Sequence, residues 1–219
     1  MQNTVPALEN EVADRSLAGR RGQYAAEVRR LLDGAFVVMR RTGTVEPAVR
    51  DVVAEAGLSN QAFYRHFPSK DALLVAVLAD GRRQLVTYLE HRLTGVRDPA
   101  ERMRQWIEGV MEQARHPDAA AATLPFVVNA NRLGAAFPRE IARSREELIA
   151  TLGTDIPIAD AELVHDLVMR RMEDALMRGR VPTDTDVDHL VAFCLAGVTR
   201  RADTAEPGTA QRGSHRRGT

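Results

Sequence analysis

Residues 50–73 read RDVVAEAGLSNQAFYRHFPSKDAL, and their spacing predicts two short helices around a glycine turn followed by the start of a third. Val49, Val52 and Val53 fall on one helical face and run into Ala56-Gly57-Leu58, where glycine can take the positive φ that ends a helix. Ser59 then offers a hydroxyl to the unpaired N–H groups of a new helix. In that helix Phe63 and Phe67, four apart, share an inward side. Asn60, Gln61, Tyr64 and Arg65, linked by three- and four-residue spacings, share an outward one. Pro68 stops the segment and Ser69 is placed to cap a further helix. Lys70, the only lysine in the chain, stands where helix N-terminal amides help bind a phosphate.

The outward face carries the chemistry of a recognition helix. Asn and Gln amides bond base edges in a major groove, a tyrosine hydroxyl reaches a phosphate, and a guanidinium does either. Asn60, Gln61 and Arg65 are therefore the candidates for base-proximal contacts, and Tyr64, His66 and Lys70 for backbone contacts, with His66 facing the first helix as the alternative. Upstream, Tyr24, Val28, Leu31, Leu32, Ala35, Phe36 and Met39 recur at helical spacing from about Gln23 to Arg41, before Thr42-Gly43-Thr44 breaks the pattern. Arg29, Arg30, Arg40 and Arg41 on that helix suit either phosphate contact or a solvated face. Downstream, Ser69 to about Leu93 reads as one long helix that joins the head to the rest of the chain.

Residues 24–78 resemble the DNA-binding domain of the tetracycline-repressor-like (TetR) family of bacterial transcription regulators. The resemblance rests on the register of VRDVVAEAGLS, on AFYRHFPSK, on the Leu73-Leu74 pair and on the amphipathic helix upstream. It departs from the family where many members place a threonine at the start of the second helix and this chain has Pro47; Thr44, just before, is the candidate to replace that phosphate contact. The resemblance implies an all-α protein: an N-terminal three-helix helix-turn-helix domain followed by a helical effector-binding and dimerisation domain. It also implies a homodimer through the last two long helices, a palindromic double-stranded DNA operator, a small-molecule effector and a repressor's role, with no cofactor.

Charge divides along the chain in the same sense. The formal net charge is zero over the 219 residues, yet residues 15–92 hold 13 Lys or Arg against 8 Asp or Glu, and residues 93–200 hold 13 against 17. A basic head on an acidic body attracts phosphates where contact is useful and makes binding salt-sensitive. With 44% hydrophobic residues the chain has enough apolar content for one or two cores. It has no apolar run of about eighteen residues and no secretion-signal pattern at its start, so a cytoplasmic protein is expected. Cys194 cannot form an internal disulfide, and its apolar neighbours suggest a small buried hydrophobe.

The body reads as helical throughout, with breaks at Gly95, Pro117, Pro138, Gly153 to Pro157 and Gly179 to Pro182. Met103, Trp106, Ile107, Val110 and Met111 share one face of a helix from about Pro99 to Ala114, suited to a cavity wall or to plain core. Phe126 and Asn129, in a mixed segment from Thr123 to Ala136, complete the candidate ligand pocket of Met103, Trp106, Val110, Phe126 and Asn129. The last two helices, about Asp160 to Arg178 and Thr183 to Arg200, carry more apolar residues than a terminal hairpin buries by itself. The expected division is a mobile tail over 1–20, the head over 21–78, the body over 79–202 and a second mobile tail over 203–219. Two rivals stay open: a DNA-binding architectural or constitutive regulator without an effector, and an enzyme, for which no phosphate loop, metal signature, nucleophile elbow or histidine cluster is found.

Overall fold

Ser59 and Ser69 each accept a backbone N–H from three residues on, Ala62 and Ala72, both at 3.1 Å, and so start two helices where their positions predict. A computed structural model of the protein describes residues 5–134, 136–153 and 155–204, and among these every regular element is an α-helix. The head comprises α1 (Val5–Thr42), α2 (Val49–Ala56) and α3 (Asn60–His66). A connector, α4 (Lys70–Arg92), leads to α5 (Pro99–Arg115), α6 (Pro117–Leu133), α7 (Pro138–Ala150), α8 (Ile158–Met177) and α9 (Asp184–Thr204). The breaks fall at the expected glycines and prolines, within a few residues.

The helix-turn-helix closes through backbone geometry. Gly57 takes φ 61° and ψ 40°, its N–H bonds Ala54 O, and the Leu58 N–H reaches back to Val53 O at 2.9 Å, a Schellman ending for α2. Arg30 of α1 adds a side-chain cap, donating to Ala56 O and Gly57 O. Gly34 permits the close crossing of α1 over α2, because a Cβ there would lie 3.0 Å from Val52 O. Inside, Leu31, Ala35, Val52, Phe63, Phe67, Leu73 and Leu74 form one buried cluster.

The α1 helix departs from expectation. It begins at Val5, so residues 5–20, expected as a mobile tail, are helical. Its residues from Arg15 to Ala26 are exposed. The Ala, Leu, Glu and Arg residues spread over 5–21 favour helix by intrinsic propensity, a signal that a search for a buried apolar face does not register. The rest of both expected tails, 1–4 and 205–219, lies outside the described residues.

The body's core centres on α5, whose Trp106, Ile107 and Val110 are fully buried against α8 and α9. Trp106 donates its indole N–H to Thr151 Oγ1 at 2.7 Å, which satisfies the one polar atom of the largest buried side chain. Cys194 lies in the same core, where burial pushes its thiol up to about 11. No helix among the described residues is long and apolar enough to cross a membrane.

Candidate DNA-binding face and ligand cavity

The α3 helix has two unlike sides. Phe63 is fully buried and Phe67 nearly so, their rings 5.9 Å apart, whereas Asn60, Gln61, Tyr64 and Arg65 are exposed, Tyr64 by 59%. Phe63 also meets the Tyr64 ring edge-on at 5.1 Å, which steadies an exposed tyrosine from beneath. Four polar side chains thus stand together on a single short helix, as their spacing predicts.

His66 takes the alternative placement, facing the first helix and not the DNA side. Its side chain is fully buried, edge-on to Tyr24 with ring centroids 4.3 Å apart, and its Nε2 lies 2.5 Å from Glu27 Oε2. The face therefore ends at Arg65, and His66 fastens α3 to α1. Thr44 is half-buried, and its hydroxyl oxygen accepts the Glu46 N–H at 3.2 Å, forming the turn before α2. Pro47 is buried one residue ahead of the Ala48 N-cap, so it leads into α2 without lying inside it.

The sequence did not reveal that two cations of this region are already paired. Arg65 Nη2 sits 2.5 Å from Glu27 Oε2, and Lys70 Nζ donates to Glu46 Oε2 at 2.9 Å. The hydrogen bonds from His66 and Arg65 hold the Glu27 carboxyl below the usual range, and Lys70, then Arg132, does the same for Glu46. These pairs are solvent-accessible and individually weak, so an incoming phosphate can displace the carboxylates. Arg29 and Arg30, candidates for phosphate contact by sequence, act inside the protein: Arg29 pairs with Asp33 and with Asp80 of α4 at 2.9 Å, and Arg30 caps α2.

In the body a cavity of about 250 Å³ opens between α4, α6 and α8, with Phe36 of α1 and Gln113 of α5 at its edges. Leu85, Phe126, Val127, Met169 and Met172 supply apolar wall, and Arg82 and Glu173 supply charge. Of the five pocket candidates only Phe126 lines it. Met103, Trp106 and Val110 are buried in the body's core and are not among the residues that line this space. Asn129 is 1% exposed and donates to Val45 O at 2.6 Å and Pro125 O at 2.9 Å. Gly81 makes room for the Phe126 ring, since a Cβ there would lie 2.6 Å from Phe126 Cε1.

Residues 31–77 match the family profile described as bacterial regulatory proteins, tetR family, and this stretch contains the whole helix-turn-helix. The head of the chain is thus similar to the tetR family over this stretch. An uncharacterized HTH-type transcriptional regulator of Mycobacterium tuberculosis (strain H37Rv) is 29% identical over 106 residues, covering 48% of this chain and 52% of its own length. The chain thus spans about half the length of the curated relatives it matches. A TetR transcriptional regulator from Rhodococcus sp. RHA1 shares the fold at a TM-score of 0.62 and 18% identity, over 80% of this chain and 96% of that one. The flavonoid-responsive regulator FrrA does so at 0.56 and 17%, over 80% and 96%. At these identities the likeness speaks for the fold alone.

The head and the cavity share one helix. Phe126, Val127 and Ala130 of α6 face the cavity, while Asn129 and Arg132 of the same helix hold the head. Arg132 reaches Glu46 Oε1 at 3.1 Å and Asp71 Oδ1 at 3.0 Å. Pro125 inside α6 removes one backbone donor and weakens the helix beside Phe126.

Proposed function

We propose that this chain is a sequence-specific, DNA-binding transcriptional regulator that acts as a homodimer and leaves its operator when a small molecule fills the body cavity. The observation that carries the reading is the outward face of α3, Asn60, Gln61, Tyr64 and Arg65, presented over buried Phe63. A rigid short helix with amides and a guanidinium on its free side suits entry into a major groove.

Dimerisation is supported by apolar side chains left open on the last two helices. Leu163 on α8 is 65% exposed and Phe193 on α9 64%, with Met177 and Val181 near the turn between them also exposed. The inward apolar residues of both helices, such as Val168, Met172, Val187 and Val191, are already spent on the body's own core. A symmetric partner that covers the outer set would place two recognition helices about 34–36 Å apart, one turn of DNA, and the operator would be palindromic.

Effector release is supported by α6, which touches both cavity and head. A ligand that wedges Phe126 moves the helix whose Asn129 and Arg132 fix Val45, Glu46 and Asp71; it alters DNA affinity to the extent that it prefers one head position over the other. Loss of DNA binding on ligand addition is the behaviour of a repressor. The test is selection of bound fragments from random duplexes by the full chain, with and without a metabolite mixture, alongside light scattering. Enrichment of a two-fold symmetric sequence that is lost with metabolites, by a dimer, is expected. A sequence-independent pool would favour an architectural protein, and a symmetric pool unmoved by any metabolite would favour a constitutive regulator.

A further inference from the structure

The charges in the cavity wall carry information about its occupant, given the effector reading above. Arg82 projects from α4 into the cavity, largely buried, with no carboxylate of the described residues within ion-pairing distance; Glu173 on α8 is the opposite charge that acts on it. A second chamber shares Arg82, Met169 and Glu173 with the first and adds Arg145, His165, Asp166 and Arg170. There the acid is committed: Asp166 accepts from Arg145 at 2.9 Å and faces His165 Nδ1 at 2.8 Å, and Arg145 also reaches Glu162 at 3.5 Å. Burial drives His165 toward its neutral form, so it adds no cation. Its Nε2 is buried without a partner.

Arg170 is exposed and lines only the second chamber, so what faces the cavity between α4, α6 and α8 is one guanidinium without a close counter-ion, Arg82, and one carboxyl, Glu173, that burial pushes above its usual range. The guanidinium keeps its proton in any environment, whereas burial weighs against the charged form of a carboxyl. An unpaired buried cation is costly, and an entering anion relieves that cost through charge-assisted hydrogen bonds. The remaining wall, with Phe36, Leu78, Leu85, Phe126 and Met172, is apolar. We propose that the cavity takes an organic carboxylate with an apolar body, its carboxylate paired with Arg82 and its body packed against Phe126.

Matched probes of one shape test this: phenylbutyrate, its uncharged amide, and phenylbutylamine, titrated calorimetrically into the full chain. The acid should bind at least about tenfold more tightly than the amide, and the amine more weakly than either. Arg82→Gln should bring acid and amide to about equal affinity while the amide still binds, and Arg82→Lys should restore part of the difference. Should the Arg82 variants fail to fold, Glu173→Gln serves, because removing the competing carboxyl should tighten acid binding. Equal affinities for all three probes in the unaltered chain, or a preference that survives Arg82→Gln, would overturn the assignment, as would no binding by any probe. Each titration is paired with binding to the selected duplex. Acid binding that leaves DNA affinity untouched would overturn effector release while the anion site stands; release by the amide as readily as by the acid would do the reverse.

Discussion

The head and the body of this protein are built from the same helical signals, yet they use their helices differently. In the head one short helix, α3, carries the whole of the proposed contact face, with Phe63 and Phe67 beneath and Asn60, Gln61, Tyr64 and Arg65 above. In the body no helix owns the proposed ligand site. The cavity takes Arg82 from α4, Phe126 from α6 and Glu173 from α8, so it exists only once the bundle is assembled. A face formed by neighbours three and four apart is written locally in the chain, whereas a cavity among helices depends on how they cross.

The largest expected effect breaks the comparison at its base. Phe63→Ala removes a fully buried ring from the small head and should cost about 3–5 kcal/mol, with operator binding lost. Trp106→Ala should cost a similar amount in the body and also remove the N–H that Thr151 Oγ1 accepts, leaving that hydroxyl only its bond to Leu148 O. Chemical denaturation followed by circular dichroism measures both, and an effect under about 1 kcal/mol at either site would contradict this packing.

Next come the contacts themselves. Substitutions at Gln61 should change base preference by about 1–3 kcal/mol at one position of each half-site, whereas Lys70→Ala should weaken all duplexes alike and lower the salt slope by about one. Anisotropy titrations at several salt concentrations separate the two. Loss of sequence preference in the Lys70 variant would reverse the roles of Gln61 and Lys70.

A smaller effect is expected at the turn. Gly57→Ala places a side chain at φ +61°, 3.0 Å from Arg30 Nη2, and should cost about 1 kcal/mol or more. Thermal melting of the variant checks it. The smallest effect concerns pH. Burial lowers the pKa of His165 from its usual 6.5, so the unfolded chain takes up this proton first. Stability should then be full above about pH 6.5 and fall as pH drops through the folded value. His165→Gln should flatten that decline in a series of melts between neutral and mildly acid pH.

Local signals explain what was legible. Ser59, Gly57 and Ser69 act on atoms within a few residues of themselves, and each works in the fold as its position predicts. The prolines and glycines that separate the body's helices are equally local. His66 stayed open between two placements because its burial depends on Tyr24 and Glu27, some forty residues earlier, on a helix whose rotation the sequence leaves open. Trp106 and Phe126 look alike as apolar residues on amphipathic helices. Packing alone sends one into the core and the other to the cavity wall. Arg82 was legible only as one more charge on the connector, since its significance comes from facing Glu173 across the bundle.

The most direct test of the central claim compares one duplex, chosen by selection with the unaltered chain, against the full chain carrying Tyr64→Phe, Arg65→Gln and Lys70→Ala together. Affinity for that duplex should fall by about a hundredfold or more, with the dimer and the melting temperature of the body retained. Unchanged affinity and an unchanged protected sequence in this variant would mean that the outward face of α3 does not contact DNA.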